Sequence, residues 1–141
     1  MKKEFSTSWV SSRQVRKQRK YNYNAPLHIK HKFLSANLSK ELRKKHGKRS
    51  SPLRKGDEVL VMRGKFHKKK GKIEEINLRK SKVSVEGINN KKKDGTKIKV
   101  YFRPSKLQII SLNLDDKKRV RKFKLETENK KQKEEIKNAS Q

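Results

Sequence analysis

The stretch Gly56-Asp57-Glu58-Val59-Leu60-Val61-Met62-Arg63-Gly64, continuing as Lys65-Phe66-His67-Lys68-Lys69-Lys70-Gly71-Lys72-Ile73, decides the fold of this chain. Its first half is an apolar run rich in β-formers, its second half is basic, and a glycine stands on each side of the basic turn. Tight turns need backbone angles that a Cβ penalises and glycine does not. Gly64 and Gly71 therefore mark a hairpin whose loop exposes four lysines and His67 on a β scaffold.

Outward from that hairpin, residues 56–112 carry five short runs of β-branched and aromatic residues separated by Gly, Lys, Asn and Asp. They predict strands at Glu58–Arg63, Lys72–Leu78, Lys82–Ile88, Lys97–Phe102 and Leu107–Leu112. Alternation places Val83 and Val85 on one face, and Ile98, Val100 and Phe102 together opposite Lys97 and Lys99. The connections are too short for helical crossovers, so pairing is mostly antiparallel. Five such strands hide their edges best as a small closed barrel. Gly56, Gly64, Gly71 and Gly87 are read as its structural turns, and Arg79-Lys80-Ser81-Lys82 and Lys91-Lys92-Lys93-Asp94-Gly95 as two further basic turns.

Upstream, Asn24-Ala25-Pro26 reads as a helix start, followed by a weak stripe of Leu27, Phe33 and Leu34. A second short helix follows Ser39 as N-cap, with Glu41 in its first turn, Arg43, Lys44 and Lys45 near its end and Gly47 as its stop. The expected organisation is a basic arm over 1–24, unstructured until bound, a helical extension over 25–52, the barrel over 53–112, and a basic helix and disordered end over 113–141. The fold class is mainly β.

Charge limits the partners. The 141 residues hold 43 Lys or Arg against 14 Asp or Glu, a formal charge of +29. Residues 1–24 carry seven basic side chains and one acidic, 25–55 ten and one, 56–112 sixteen and six, and 113–141 ten and six, so every segment is cationic. Solubility never requires this much charge, and a phosphate backbone is the matching counter-surface. A membrane-surface protein would gather its basic residues on one amphipathic helix or beside an apolar span, and no run approaches the ~20 apolar residues a span needs. Only 29% of residues are hydrophobic, so most of the chain is not core. Cysteine is absent, which excludes disulfides and thiolate zinc sites, and the N-terminus lacks an apolar signal region. Cytosol or nucleus is the expected compartment.

The motif around Gly56–Ile73 resembles the KOW family, whose pattern is Gly-Asp, two alternating valines, a glycine-bracketed basic loop and Gly-Lys-Ile. Val83-Ser84-Val85-Glu86-Gly87-Ile88-Asn89 resembles the segment that follows in its ribosomal members. Transcription elongation factors share the core pattern, which leaves a regulatory KOW factor as the alternative. The flanks Asn24-Ala25-Pro26, Leu38-Ser39-Lys40-Glu41-Leu42-Arg43, Arg49-Ser50-Ser51-Pro52, Arg103-Pro104-Ser105-Lys106-Leu107 and Leu112-Asn113-Leu114-Asp115 look like the family of large-subunit ribosomal proteins numbered twenty-six in eukaryotes and twenty-four in bacteria. This family usually has a further glycine where the chain has Lys68, and a histidine where it has Arg103.

The resemblance implies an SH3-like (KOW) barrel and a non-catalytic role in translation. It also implies binding to the 5′ domain of large-subunit ribosomal RNA, help in subunit assembly, and a place near the polypeptide exit. The implied partners are that RNA and neighbouring ribosomal proteins, with no cofactor, membrane, small-molecule substrate or second copy of the chain. The implied location is the cytoplasmic ribosome, after passage through the nucleus and nucleolus.

Candidate RNA-binding residues are Arg13, Arg16, Lys17, Arg19, Lys20, His28, Lys30, Arg43, Arg49, Arg54, Arg63, Lys65, Phe66, His67, Lys68, Lys69, Lys70, Lys72, Arg79, Lys80, Lys82, Arg103, Ser105 and Lys106. Trp9, Tyr21, Tyr23 and Phe66 are candidates for stacking on unpaired bases, with core packing or anchoring of the arm as the other reading. His67 is either a hydrogen-bond donor to RNA or a solvated loop residue. His28 and His31 have a metal-ligand spacing, but no carboxylate or cysteine nearby completes a site. Asp57 and Glu58 are adjacent on a strand, point to opposite faces, and cannot work as a carboxylate pair. Enzyme chemistry finds no constellation. A DNA packager fits the lysine content but not the five strand signals.

Overall fold

A computed structural model describes residues 5, 6, 8, 9, 11–121 and 123. Three helices, α1 (Val15–Asn24), α2 (Leu27–Phe33) and α3 (Lys40–His46), alternate early with two short strands, β1 (Ser35–Leu38) and β2 (Ser50–Pro52). Five more strands follow: β3 (Glu58–Val61), β4 (Lys70–Asn77), β5 (Lys82–Lys91), β6 (Lys97–Phe102) and β7 (Leu107–Ser111). All seven join one ladder in the order β2-β1-β7-β3-β4-β5-β6, with β1 and β7 parallel and the other pairs antiparallel.

The five expected strands are present, but two expectations are corrected. The sheet has seven strands, and it does not close. Closure of five strands would require β7 to meet β6, whereas β1 occupies that edge of β7 through Asn37 opposite Gln108 and Leu38 opposite Ile109. β2 and β6 are left as the ends of the ladder. Residues 25–52 therefore contribute strands as well as helices, and residues 15–24, expected as unstructured arm, form α1.

β4 bends the sheet. Its first residues pair with β3 (Glu58 opposite Lys72) and its later ones with β5 (Ile76 opposite Val83). Gly71 sits at this change of partner, where an added Cβ would lie 2.8 Å from both the Glu86 carbonyl oxygen and a Val85 methyl. Its absent side chain makes room for β5. Left-handed backbone angles occur instead at Gly56, Gly64 and Gly87, with φ of 82°, 95° and 76°.

One core unites both halves of the chain. Leu34, Ala36 and Leu38 from β1 and its approach, with Leu53, pack with Val59, Val61, Ile73, Val83, Val85, Phe102, Leu107 and Ile109. Val59 and Val61 point inward from β3, as do Val83 and Val85 from β5. Along β6 the core fades from buried Phe102 to Ile98, which is 42% exposed where the β5–β6 hairpin extends past it. α3 ends as expected, with the Ser39 hydroxyl accepting from the Leu42 amide and Gly47 left-handed at φ 67°.

The C-terminal segment docks instead of standing free. Residues 117–121 are helical. Arg119 reaches back to Asp57, which is 0% exposed: Nη1 donates to Oδ1 at 2.5 Å and Nη2 to Oδ2 at 2.8 Å. The same guanidinium donates to the carbonyls of Asn113 and Pro52, and Asp57 also accepts from the amides of Arg54 and Asn113. One carboxylate thus holds together β2, the turn before β3 and the C-terminal helix. Phe123 is buried against the His46 ring at 4.8 Å, and burial, then Lys45 and Lys48, push the His46 pKa below its ordinary value. The disordered end expected beyond this point falls on residues 124–141, outside the described residues.

Asp57→Ala leaves the Arg119 guanidinium buried without its counter-charge, and the expected loss is about 3–5 kcal/mol in urea unfolding. Asp57→Leu combined with Arg119→Leu recovers only part of it, because the Arg54 and Asn113 amides still lose their acceptor. A loss below about 1 kcal/mol for Asp57→Ala contradicts the clamp.

Candidate nucleic-acid interface

Most of the candidate cations lie on the outside, in groups that the topology brings together. α1 exposes Arg16, Lys17, Arg19 and Lys20, and Arg13, just before the helix, is also exposed. The helix buries no residue of its own. It is held by Tyr21, whose ring stacks on Trp9 at 4.1 Å and approaches Phe5 at 4.9 Å and Phe33 at 6.1 Å. Trp9 and Tyr21 therefore anchor the basic N-terminal segment to α2.

The β3–β4 loop is the second group. Val61 and Lys69 clasp its ends through Val61 N–H to Lys69 O and Lys68 N–H to Val61 O, both 2.9 Å. Arg63, Lys65, His67, Lys68, Lys69, Lys70 and Lys72 are all exposed. Lys68 takes φ 68°, the left-handed region, at the position where the resembling family usually has glycine. Phe66 turns inward, edge-on to Phe102 at 6.1 Å and 82°, with the Lys69 ammonium 5.5 Å from its ring. Its ring is partly buried against the core and still borders a groove.

The third group surrounds Arg103. The Met62 amide donates to the Lys106 carbonyl at 2.8 Å, which sets the turn 103–106 beside the β3–β4 loop. Arg103 borders two grooves. One, about 340 Å³, runs past Arg63, Lys65, Lys82 and Lys106. The other, about 500 Å³, is shared with Arg79, Lys80, Ser105 and, across from them, Arg19 and Tyr23 of α1. The Lys80 amide donates to Asn77 Oδ1 at 2.9 Å, and Ser81 takes φ 48°, so the β4–β5 turn holds Arg79 and Lys80 outward.

Several candidates also bond within the fold. Arg43 Nε donates to the Leu38 carbonyl at 2.9 Å, and Lys30 Nζ to the Tyr23 carbonyl at 3.2 Å. Arg54 is ion-paired with Asp116. Arg49 and His28 are exposed but stand apart from the two grooves. Among the described residues no group of three or more His, Cys, Asp or Glu could hold a metal ion, and no helix is long and apolar enough to cross a membrane.

The carboxylates matter as much as the cations. Asp57 and Asp116 face Arg119 and Arg54, while Glu74 takes Lys99 at 2.6 Å and Glu75 takes the Tyr101 hydroxyl at 3.2 Å. The Glu74 hydrogen bond raises the Lys99 pKa, and the Glu75 hydrogen bond raises that of Tyr101. No acidic side chain lines the two grooves that meet at Arg103. Unopposed cations in shallow grooves are suited to phosphate, whose oxygens accept the planar guanidinium fork. Sequence reading missed Arg119 and named Tyr23 only as a stacking candidate, without its place. Arg119 is one of ten basic side chains in its segment and nothing local distinguishes it, and the placement of Tyr23 depends on how α1 folds back.

The class so defined is a small basic β-sheet protein with cationic loops and grooves that carry no acidic lining. Comparison with known proteins makes it specific. Residues 12–128 match the family of eukaryotic ribosomal proteins L26 and their archaeal counterparts numbered twenty-four. Large ribosomal subunit protein uL24 of Korarchaeum cryptofilum (strain OPF8) is 45% identical over 112 residues, covering 79% of this chain and 86% of the relative. The chain belongs to this family of large-subunit ribosomal proteins.

A left-handed non-glycine residue costs roughly 1–2 kcal/mol. Lys68→Gly is expected to raise unfolding stability by about 1 kcal/mol, less what glycine loses in chain entropy, in urea titration. A lower stability for the glycine variant contradicts the strained conformation of the loop.

Proposed function

We propose that this protein is a non-catalytic constituent of the large subunit that binds the 5′ domain of large-subunit ribosomal RNA mainly through phosphates and assists subunit assembly. The observation that carries this reading is the placement of charge: α1, the β3–β4 loop and the turn 103–106 present cations around grooves without acidic lining, while Asp57, Glu74 and Asp116 are ion-paired within the protein. Family membership supports the ribosome as the setting, with neighbouring ribosomal proteins as partners. Phosphate contacts position without reading sequence, so specificity rests on the shape of the RNA and its unpaired elements. The protein works in cytoplasmic ribosomes and joins the particle during assembly in the nucleolus.

Binding to large-subunit ribosomal RNA should weaken steeply with salt. If ~10 phosphates are neutralised, the log-log slope is roughly −7 to −9 in a filter-binding titration. A nearly flat dependence contradicts phosphate binding, and failure to sediment with large subunits contradicts the ribosomal setting.

A further inference from the structure

We propose that the groove between α1, the β4–β5 turn and the turn 103–106 captures one unpaired RNA nucleotide, its base on Tyr23 and its phosphates on Arg19, Arg79, Lys80 and Arg103. This rests on the RNA-binding reading above and names the element bound.

Four aromatic residues could stack on bases, and the fold commits three of them. Trp9 and Tyr21 stack on each other, and Phe66 packs on Phe102. Tyr23 is 83% exposed and makes no ring contact among the described residues. It is nonetheless held in place. It lies at the end of α1, its carbonyl accepts from Lys30, and Ala25, two residues on, is buried. An exposed aromatic ring on a fixed helix end is a stacking platform without an occupant.

The surroundings of the ring fit a nucleotide. Tyr23 lines a groove of about 500 Å³, within the ~300–1,000 Å³ range of small-ligand sites. Arg19 lies on the same helix, one turn earlier, and Arg79, Lys80 and Arg103 come from the sheet side, with the Ser105 hydroxyl nearby. A duplex hides its base faces in its own stack, whereas a bulged or looped nucleotide offers a face together with flanking phosphates.

Other grooves lack one of these parts. The groove of about 410 Å³ beside Leu53 is lined by Asp115 and Asp116, which repel phosphate, and its Arg54 is ion-paired. In the groove beside Phe66, that ring is packed and the Tyr101 hydroxyl is held by Glu75.

The test compares two labelled RNA hairpins of equal charge at ~150 mM salt. One carries a single bulged adenosine, and in the other the bulged residue is abasic. Wild-type protein is expected to bind the adenosine hairpin about tenfold more tightly, in line with one base stacking on an aromatic side chain. Tyr23→Ala abolishes that preference, and Tyr23→Phe keeps it. Arg79→Ala with Lys80→Ala weakens both complexes and reduces the salt slope by about 2. Equal wild-type binding to the two hairpins, or an undiminished preference in Tyr23→Ala, overturns the nucleotide site while leaving ribosomal RNA binding intact. Failure to bind either hairpin or large-subunit ribosomal RNA removes both readings together.

Discussion

The buried carboxylate of Asp57 is the constraint on which the rest of this structure depends. A charge with no solvent exposure is stable only when its oxygens are fully satisfied. Here two backbone amides and a two-pronged Arg119 supply the donors. Because these donors come from residues 54, 113 and 119, satisfying one side chain fixes the entry to β3 and brings the C-terminal helix back onto the sheet. Removing either partner would leave the other charge buried and unpaired, so the two sides of the clamp depend on each other.

That clamp also explains how so cationic a chain can fold with a distinct inside and outside. Three carboxylates are placed against particular basic partners: Asp57 with Arg119, Asp116 with Arg54, Glu74 with Lys99. The remaining cations of the β3–β4 loop, the β4–β5 turn and α1 repel one another across the surface, and a polyanion relieves that repulsion. The same feature that weakens the isolated fold therefore strengthens the complex. The basic N-terminal helix is held by the Trp9, Tyr21 and Phe33 rings.

What can be read from the sequence follows the strength of local signals. The strands β3 to β7 announce themselves through runs such as Val59-Leu60-Val61 and Val83-Ser84-Val85, and α3 through Ser39, Glu41 and Gly47. β1 and β2 do not, because Ser35, Asn37, Ser50 and Pro52 are poor strand formers and only the spacing of Leu34, Ala36 and Leu38 hints at a buried face. With β1 unseen, a closed five-strand barrel is the natural expectation, and it is β1 that occupies the closing edge. α1 lacks an apolar stripe and so reads as an unstructured arm, although the rings around Tyr21 hold it. The basic loop is legible as a surface, but the roles inside it are not: Phe66 packs inward, and Arg43 and Arg54 elsewhere bond to the fold. Charge identifies the kind of partner, whereas the assignment of each cation requires the distances.

The account turns on outward cations meeting phosphate while the inward pairs stay as they are. Amine-reactive footprinting of the protein, free and within the large subunit, measures this residue by residue. The account predicts that Lys65, Lys68, Lys69, Lys80 and Lys106 lose reactivity in the particle, whereas Lys99, already paired with Glu74, changes little. Equal reactivity of the loop lysines in both states would contradict it.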